Sequence, residues 1–202
     1  QILVLTFTNK AADEMKKRIV SLVGDKSSQL WMGTFHSMFA RLLRQECEAL
    51  GFSRNFTIYD TEDSLNLVKN IQHTLNINTQ QFKPKAVYSK ISSAKNKLIY
   101  PDEFESTARD LFTQEAARVY LEYQKLLKQN NAMDFDDLLL KPIELFEKHP
   151  KTLSKYQDRF RFVLVDEYQD TNRVQYKLIK MIAQQYKNIC VVGDDAQSIY
   201  RF

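Results

Sequence analysis

Turn-forming residues are scarce in this chain. Four glycines and four prolines in 202 residues leave a helix-rich soluble protein as the default. Cysteine is scarcer still: Cys47 and Cys190 stand far apart without metal-ligand spacing. That excludes a disulfide framework and points to a reducing, cytoplasmic setting. No apolar run approaches the ~20 residues that cross a bilayer, and Gln1-Ile-Leu-Val-Leu5 is too short for a secretory signal. No membrane partner is therefore expected. A strong excess of one charge sign is also missing, and the net charge of +4 permits a polyanionic partner without demanding one. What is present is 44% hydrophobic content in a chain long enough for one large or two small domains.

Gln1 to Phe7 reads as a strand already in progress, as expected of an internal piece. A helix follows to Val23, with Ala11, Met15, Ile19 and Leu22 as its apolar stripe and Gly24 as its stop. The strand–Thr8-Asn9–helix junction aims free backbone N–H groups past the sheet edge, a natural phosphate contact. Taken alone, Phe7 is the last core residue of its strand. Leu30 to Phe35 reads as a second strand, and a helix from His36 to Leu50 should bury Met38, Leu42, Cys47 and Leu50 while Arg41 and Arg44 stay solvated. Thr34 and His36, at that strand-to-helix step, are placed to hydrogen-bond a phosphodiester, although a lone His is more often a packing or surface residue.

From Phe52 the character changes. Phe56 to Tyr59 is a short extended piece, and Asp60-Thr-Glu-Asp63 signals a helix start. Helical stripes then follow one another: Leu65, Val68, Ile71, Leu75; Val87, Ile91, Ala94, Leu98 after Pro84; Phe104, Ala108, Leu111; and Ala117, Tyr120, Tyr123, Leu127. Lys83, Lys85, Lys90, Lys95 and Lys97 surround the second stripe, either as a solvated face or as a surface toward nucleic acid. Met133 to Leu140 opens a helix with Asp134 as N-cap, and Lys151 to Arg159 closes the series. Nearly a hundred helical residues between two sheet strands exceed any ordinary crossover, so they read as an inserted helical subdomain.

Phe162-Val-Leu-Val165 is a short β-branched run, apolar on both faces like a buried parallel strand, and it ends at Asp166-Glu167. Open α/β sheets place ligand chemistry at that end. Asp166 suits Mg2+, directly or through water, and Glu167 suits the base that orients and deprotonates an attacking water. After a helix from Arg173 to Gln185, Asn188 to Val192 is the last strand. It leads to Gln197, a neutral side chain suited to reading a γ-phosphate, and to Tyr200 and Phe202, either loop anchors or platforms for base stacking.

Four segments then combine. Thr6-Phe-Thr-Asn-Lys-Ala-Ala-Asp-Glu-Met15, Gly33-Thr-Phe-His-Ser37, Val165-Asp-Glu-Tyr-Gln-Asp-Thr-Asn172 and Gly193-Asp-Asp-Ala-Gln-Ser-Ile-Tyr200 resemble successive motifs of UvrD/Rep/PcrA-type superfamily 1 DNA helicases. Met133-Asp-Phe-Asp-Asp-Leu138 resembles a further segment of that family. The resemblance runs from end to end. It implies an α/β fold: a partial RecA-like (P-loop NTPase) parallel sheet with a large inserted all-helical subdomain. Residues 1–52 and 160–202 would form the first part, and 53–159 the insert.

The resemblance also implies an activity, ATP-driven 3′→5′ movement on single-stranded DNA with duplex unwinding in repair or replication. Its partners would be ATP, Mg2+, single-stranded DNA, duplex junctions and helicase domains outside this chain. Asp166 would serve Mg2+, Glu167 would be the base, and Gln197 would sense the γ-phosphate, with Gln169 a second candidate for that coupling. Phe7, Tyr200 and Phe202 would stack on bases, while Asn9, Thr34 and His36 would touch the DNA backbone. Phe202 stands where many relatives carry Trp, and Asp195-Ala196 departs from their order before the Gln.

A Gly-x-x-x-x-Gly-Lys-[Ser/Thr] phosphate loop is absent from all 202 residues. The chain is therefore expected to be an internal helicase piece, inactive alone, with a central sheet strand missing. Its sheet should be the weak part and Phe56 to Arg159 the more stable one. The competing reading is a stand-alone single-strand-binding module without ATPase activity. It gives no reason for Asp166, Glu167 and Gln197 to sit at strand ends.

Overall fold

The computed structural model describes residues 2–24 and 30–194. In chain order they form β1 (Ile2–Thr6), α1 (Asn9–Val23), β2 (Trp31–Thr34), α2 (Phe35–Glu46), β3 (Thr57–Tyr59) and α3 (Thr61–Thr74). Then come α4 (Pro84–Asn96), α5 (Pro101–Thr107), α6 (Leu111–Gln129), β4 (Ala132–Asp134), α7 (Asp137–Lys148) and α8 (Pro150–Arg159). β5 (Phe162–Val165), α9 (Arg173–Ala183) and β6 (Ile189–Val191) complete the series. Local chemistry sets the boundaries. Thr8 caps α1 through Ala11 N, proline opens α4, α5 and α8, and reciprocal capping boxes open α3 (Asp60/Asp63) and α9 (Asn172/Gln175).

Four strands make one parallel sheet in the order β2-β1-β5-β6. It is continuous. Among the described residues the four strands pair without a gap: Leu5 pairs with both Gly33 and Val165, and Val165 with Val191. Any further strand has an edge to join, not a gap.

The sheet buries one face. Leu3, Leu5, Val163 and Val165 point into a core with Phe35, Phe39 and Leu42 of α2, Ile143 and Phe146 of α7, Tyr156 of α8, and Val174, Leu178 and Ile182 of α9. Each such side chain contributes about 1.5–3 kcal/mol by leaving water. On the opposite face Phe162 is 50% exposed and Leu164 37%, while Ile189 and Val191, which pair with Val163 and Val165 on the core side, stay open at the edge of the sheet. The β5 run is therefore half-buried, not buried on both faces as its composition suggests. α1 packs mainly on β1 and β2, holds no buried residue, and leaves Leu22 in solvent.

A second core lies among α3, α4, α5 and α6, with Val68, Ile71, Val87, Ile91, Ala117, Tyr120, Tyr123 and Leu127 buried. This region is not purely helical, because β3 and β4 pair in parallel, Thr57 opposite Ala132 and Tyr59 opposite Asp134. Met133 and Leu138 join Leu43, Cys47, Phe52 and Phe56 in a smaller cluster between the two cores. The packing of α7 and α8 under the sheet separates them from the second core, although they precede residue 160.

Two expectations about charge fail. Lys95 is not solvated. It is 1% exposed, and its Nζ lies 2.7 Å from Asp134 Oδ2 and 3.0 Å from Asp137 Oδ1. Tyr123 donates to the same Asp134 oxygen, and the Asp137 N–H to the other, so Asp134 caps its turn from inside β4. Burial opposes the Lys95 charge, but the two carboxylates outweigh it and hold its pKa above the ordinary lysine value. Arg44 is also engaged: it donates to the carbonyls of Arg54 and Phe56 and covers the Phe56 ring.

Candidate nucleotide and nucleic-acid sites

The parallel strands deliver their C-terminal ends to one edge of the sheet. Asp166 follows β5 directly, and its N–H donates to the carbonyl of Leu5 in β1, two residues before Phe7. Asp166 Oδ1 accepts the Glu167 N–H at 3.1 Å. Glu167 itself adopts a left-handed backbone (φ 53°), a conformation that costs a non-glycine residue energy and clusters at functional sites. A 3-10 turn over Tyr168–Asp170 follows.

Gln169 closes the loop. Its Nε2 donates to Glu167 Oε2 at 2.6 Å, and its Oε1 accepts the Asp194 N–H at 3.1 Å. The backbone at Gly193 passes so near that a Cβ there would stand 2.6 Å from Gln169 Oε1. A side chain there would have to displace the Gln169 carboxamide and would crowd the backbone N–H groups of Tyr168 and Gln169 at 3.3 Å. Gln169 thus ties the carboxylate loop to the segment leaving β6. Gln197, Tyr200 and Phe202 lie beyond it, outside the described residues.

The donor set fits Mg2+. That ion keeps several waters and takes one or two carboxylates beside substrate phosphates, so a half-buried Asp166 with one engaged oxygen suffices. Among the described residues no group of three or more His, Cys, Asp or Glu forms a closed metal cage.

Phe7, Asn9, Thr34 and His36 meet in one cleft of about 330 Å3, above the ends of β1 and β2. Phe7 is half-buried with its ring 5.3 Å from that of Phe35, so it is anchored in the core and still lines the cleft. Asn9 is exposed at the first position of α1. Thr34 caps α2: its Oγ1 accepts the Ser37 N–H and donates to Ser37 Oγ, so its hydroxyl is largely occupied. Burial lowers the His36 pKa, which leaves a neutral imidazole at neutral pH.

The opposite wall holds a residue that sequence reasoning passed over. Phe135, 46% exposed, meets His36 edge to face at 6.0 Å. Phe7 also lines a neighbouring cleft of about 630 Å3, with Asn96 and Lys97 at the end of α4 on one side and Asp170 to Arg173 on the other.

A parallel α/β sheet with carboxylates at a strand end, interrupted by a largely helical insertion, is the architecture of a partial RecA-like domain. The UvrD/REP helicase N-terminal domain model matches residues 1–202, and the chain belongs to that family. It is 47% identical over 201 residues to the ATP-dependent DNA helicase PcrA of Bacillus subtilis, covering 100% of this chain and 27% of that protein. It is 48% identical over 199 residues to the PcrA of Staphylococcus epidermidis, covering 98% and 27%. The chain thus spans about a quarter of the length of these relatives. Among the described residues no helix is long and apolar enough to cross a membrane.

Proposed function

We propose that this chain is part of the first motor domain of an ATP-dependent DNA helicase that moves 3′→5′ along single-stranded DNA and opens duplex junctions in repair or replication. The observation that carries this is the adjacency of two sites on one sheet edge: the Asp166-Glu167 loop, and the cleft of Phe7, Asn9, Thr34, His36 and Phe135. A mere strand-binding module gives no role to the first.

Asp166 would hold Mg2+, which when bound neutralises charge on the β- and γ-phosphates of ATP. Glu167, aimed by its left-handed backbone and by the Gln169 amide, takes the proton of the attacking water. Gln169 reports the state of that loop to the segment after β6, where Gln197 would read the γ-phosphate and Tyr200 and Phe202 would stack. Phe7 and Phe135 offer faces to bases. Asn9 and the neutral His36 hydrogen-bond the backbone, with Thr34 orienting the α2 N-terminus. The division between the RecA-like part and the insert is proposed to fall near residue 136, because α7 and α8 share the sheet's core. The two scattered thiols support a cytoplasmic setting.

No phosphate loop exists in these 202 residues to hold the phosphates against Glu167. The purified chain should therefore show no oligothymidylate-stimulated ATP hydrolysis. Turnover that Glu167→Gln removes would contradict this.

A further inference from the structure

Asn96, the last residue of α4, stands between the two sites and uses both ends of its carboxamide. Its Nδ2 donates to Asp136 Oδ1 at 2.8 Å and to the Ser92 carbonyl at 2.9 Å. Its Oδ1 accepts from Asn172 Nδ2 at 3.1 Å. Asp136 follows Phe135 of the aromatic cleft. Asn172 ends the acid loop five residues after Glu167, and its own Oδ1 is taken by the Gln175 N–H at the start of α9. The Asn172 amide is thus free to serve the bridge while the carbonyl caps the helix.

Three elements are joined by side chains through one residue, and the anchor is rigid. Lys95, next to Asn96, is buried and grips Asp134 and Asp137, which flank Phe135-Asp136 in sequence. The cleft wall and α4 therefore move as one body, and Asn96 fastens that body to the acid loop.

We infer that Asn96 is a positioning residue that couples occupancy of the aromatic cleft to the Asp166-Glu167 loop. It touches neither reacting atoms nor DNA in this role. The inference rests on the proposed function and adds to it a route from one site to the other. A structural tie alone would stabilise the fold; a coupling tie changes what DNA does to turnover.

The test uses the full-length protein carrying these residues, with oligothymidylate as the probe. Asn96→Ala removes the bridge, and Asn172→Ser removes the amide donor while keeping an oxygen to cap α9. Either change should leave ATP turnover without DNA unaltered and cut the stimulation of kcat by DNA about 5- to 10-fold, within the range of site-to-site couplings. The double variant should be no worse than either single one, because both break one bridge. The exchange Asn96→Asp with Asp136→Asn should restore part of the stimulation, since a donor and an acceptor again face each other between 96 and 136 while the Ser92 carbonyl loses its donor. Undiminished stimulation in both single variants, with only a lower Tm, overturns the inference, as does a double variant whose losses multiply. An unaltered protein without DNA-stimulated turnover would instead overturn the proposed function, and this inference with it.

Discussion

Replacing His36 by alanine should weaken single-stranded DNA binding at pH 7.5 without changing the slope of log K against log salt. Burial keeps its imidazole neutral, so it donates a hydrogen bond but releases no counterion. A reduced slope would show that His36 binds as a cation. The same shift has a stability sign. The folded value lies below the ordinary 6.5, so the associated stability is complete above that pH and is lost as the pH falls through the folded value. His36→Gln should accordingly flatten the acid limb of a urea-midpoint profile. At this scale the sequence exposed Asp166 and Glu167, because a β-branched run that stops at two acids marks the ligand-facing end of a parallel strand. Phe135 stayed hidden because its neighbours Asp134, Asp136 and Asp137 read as a helix start, and only the turn after β4 aims it at His36.

Among elements, α4 shows what period alone conveys. The Val87, Ile91, Ala94 stripe is buried as expected, but a lysine four residues after Ile91 lies on the flank of that stripe and not opposite it. Lys95 is buried because α6, β4 and α7 bring Tyr123, Asp134 and Asp137 to it, and no local pattern contains those three. Lys95→Met should cost about 3–5 kcal/mol in urea unfolding, since two buried carboxylates lose their cation. Lys97→Met, two residues on and exposed, should stay within about 0.5 kcal/mol. Equal effects would mean that the cluster carries no net stability. β6 lies at the other extreme. An exposed three-residue edge strand with Ile189 and Val191 open should exchange its amides fastest among the strands of the sheet, while buried positions of α3, α4 and α6 exchange slowest. Amide exchange by mass spectrometry that protects β6 over those helices would contradict this.

Over the whole molecule, the succession of strands and their interruption by helices were legible because a hundred residues cannot be a loop. The order of strands across the sheet was not, since it depends on pairings that no single run encodes. Nor was the packing of α7 and α8 against the sheet, because their ordinary amphipathic patterns fit either core. What the assembled fold adds is adjacency: an aromatic cleft, an acid loop and a helical insert meet along one edge, with Asn96 where they touch. The most direct test of that arrangement is a salt-dependent oligothymidylate titration of the chain and of its Phe7→Ala/Phe135→Ala variant. With stacking at about 1–3 kcal/mol per base, the variant should bind about 10- to 100-fold more weakly at every salt concentration, with an unchanged salt slope. Equal affinity of the two proteins would contradict the assignment of the cleft to single-stranded DNA.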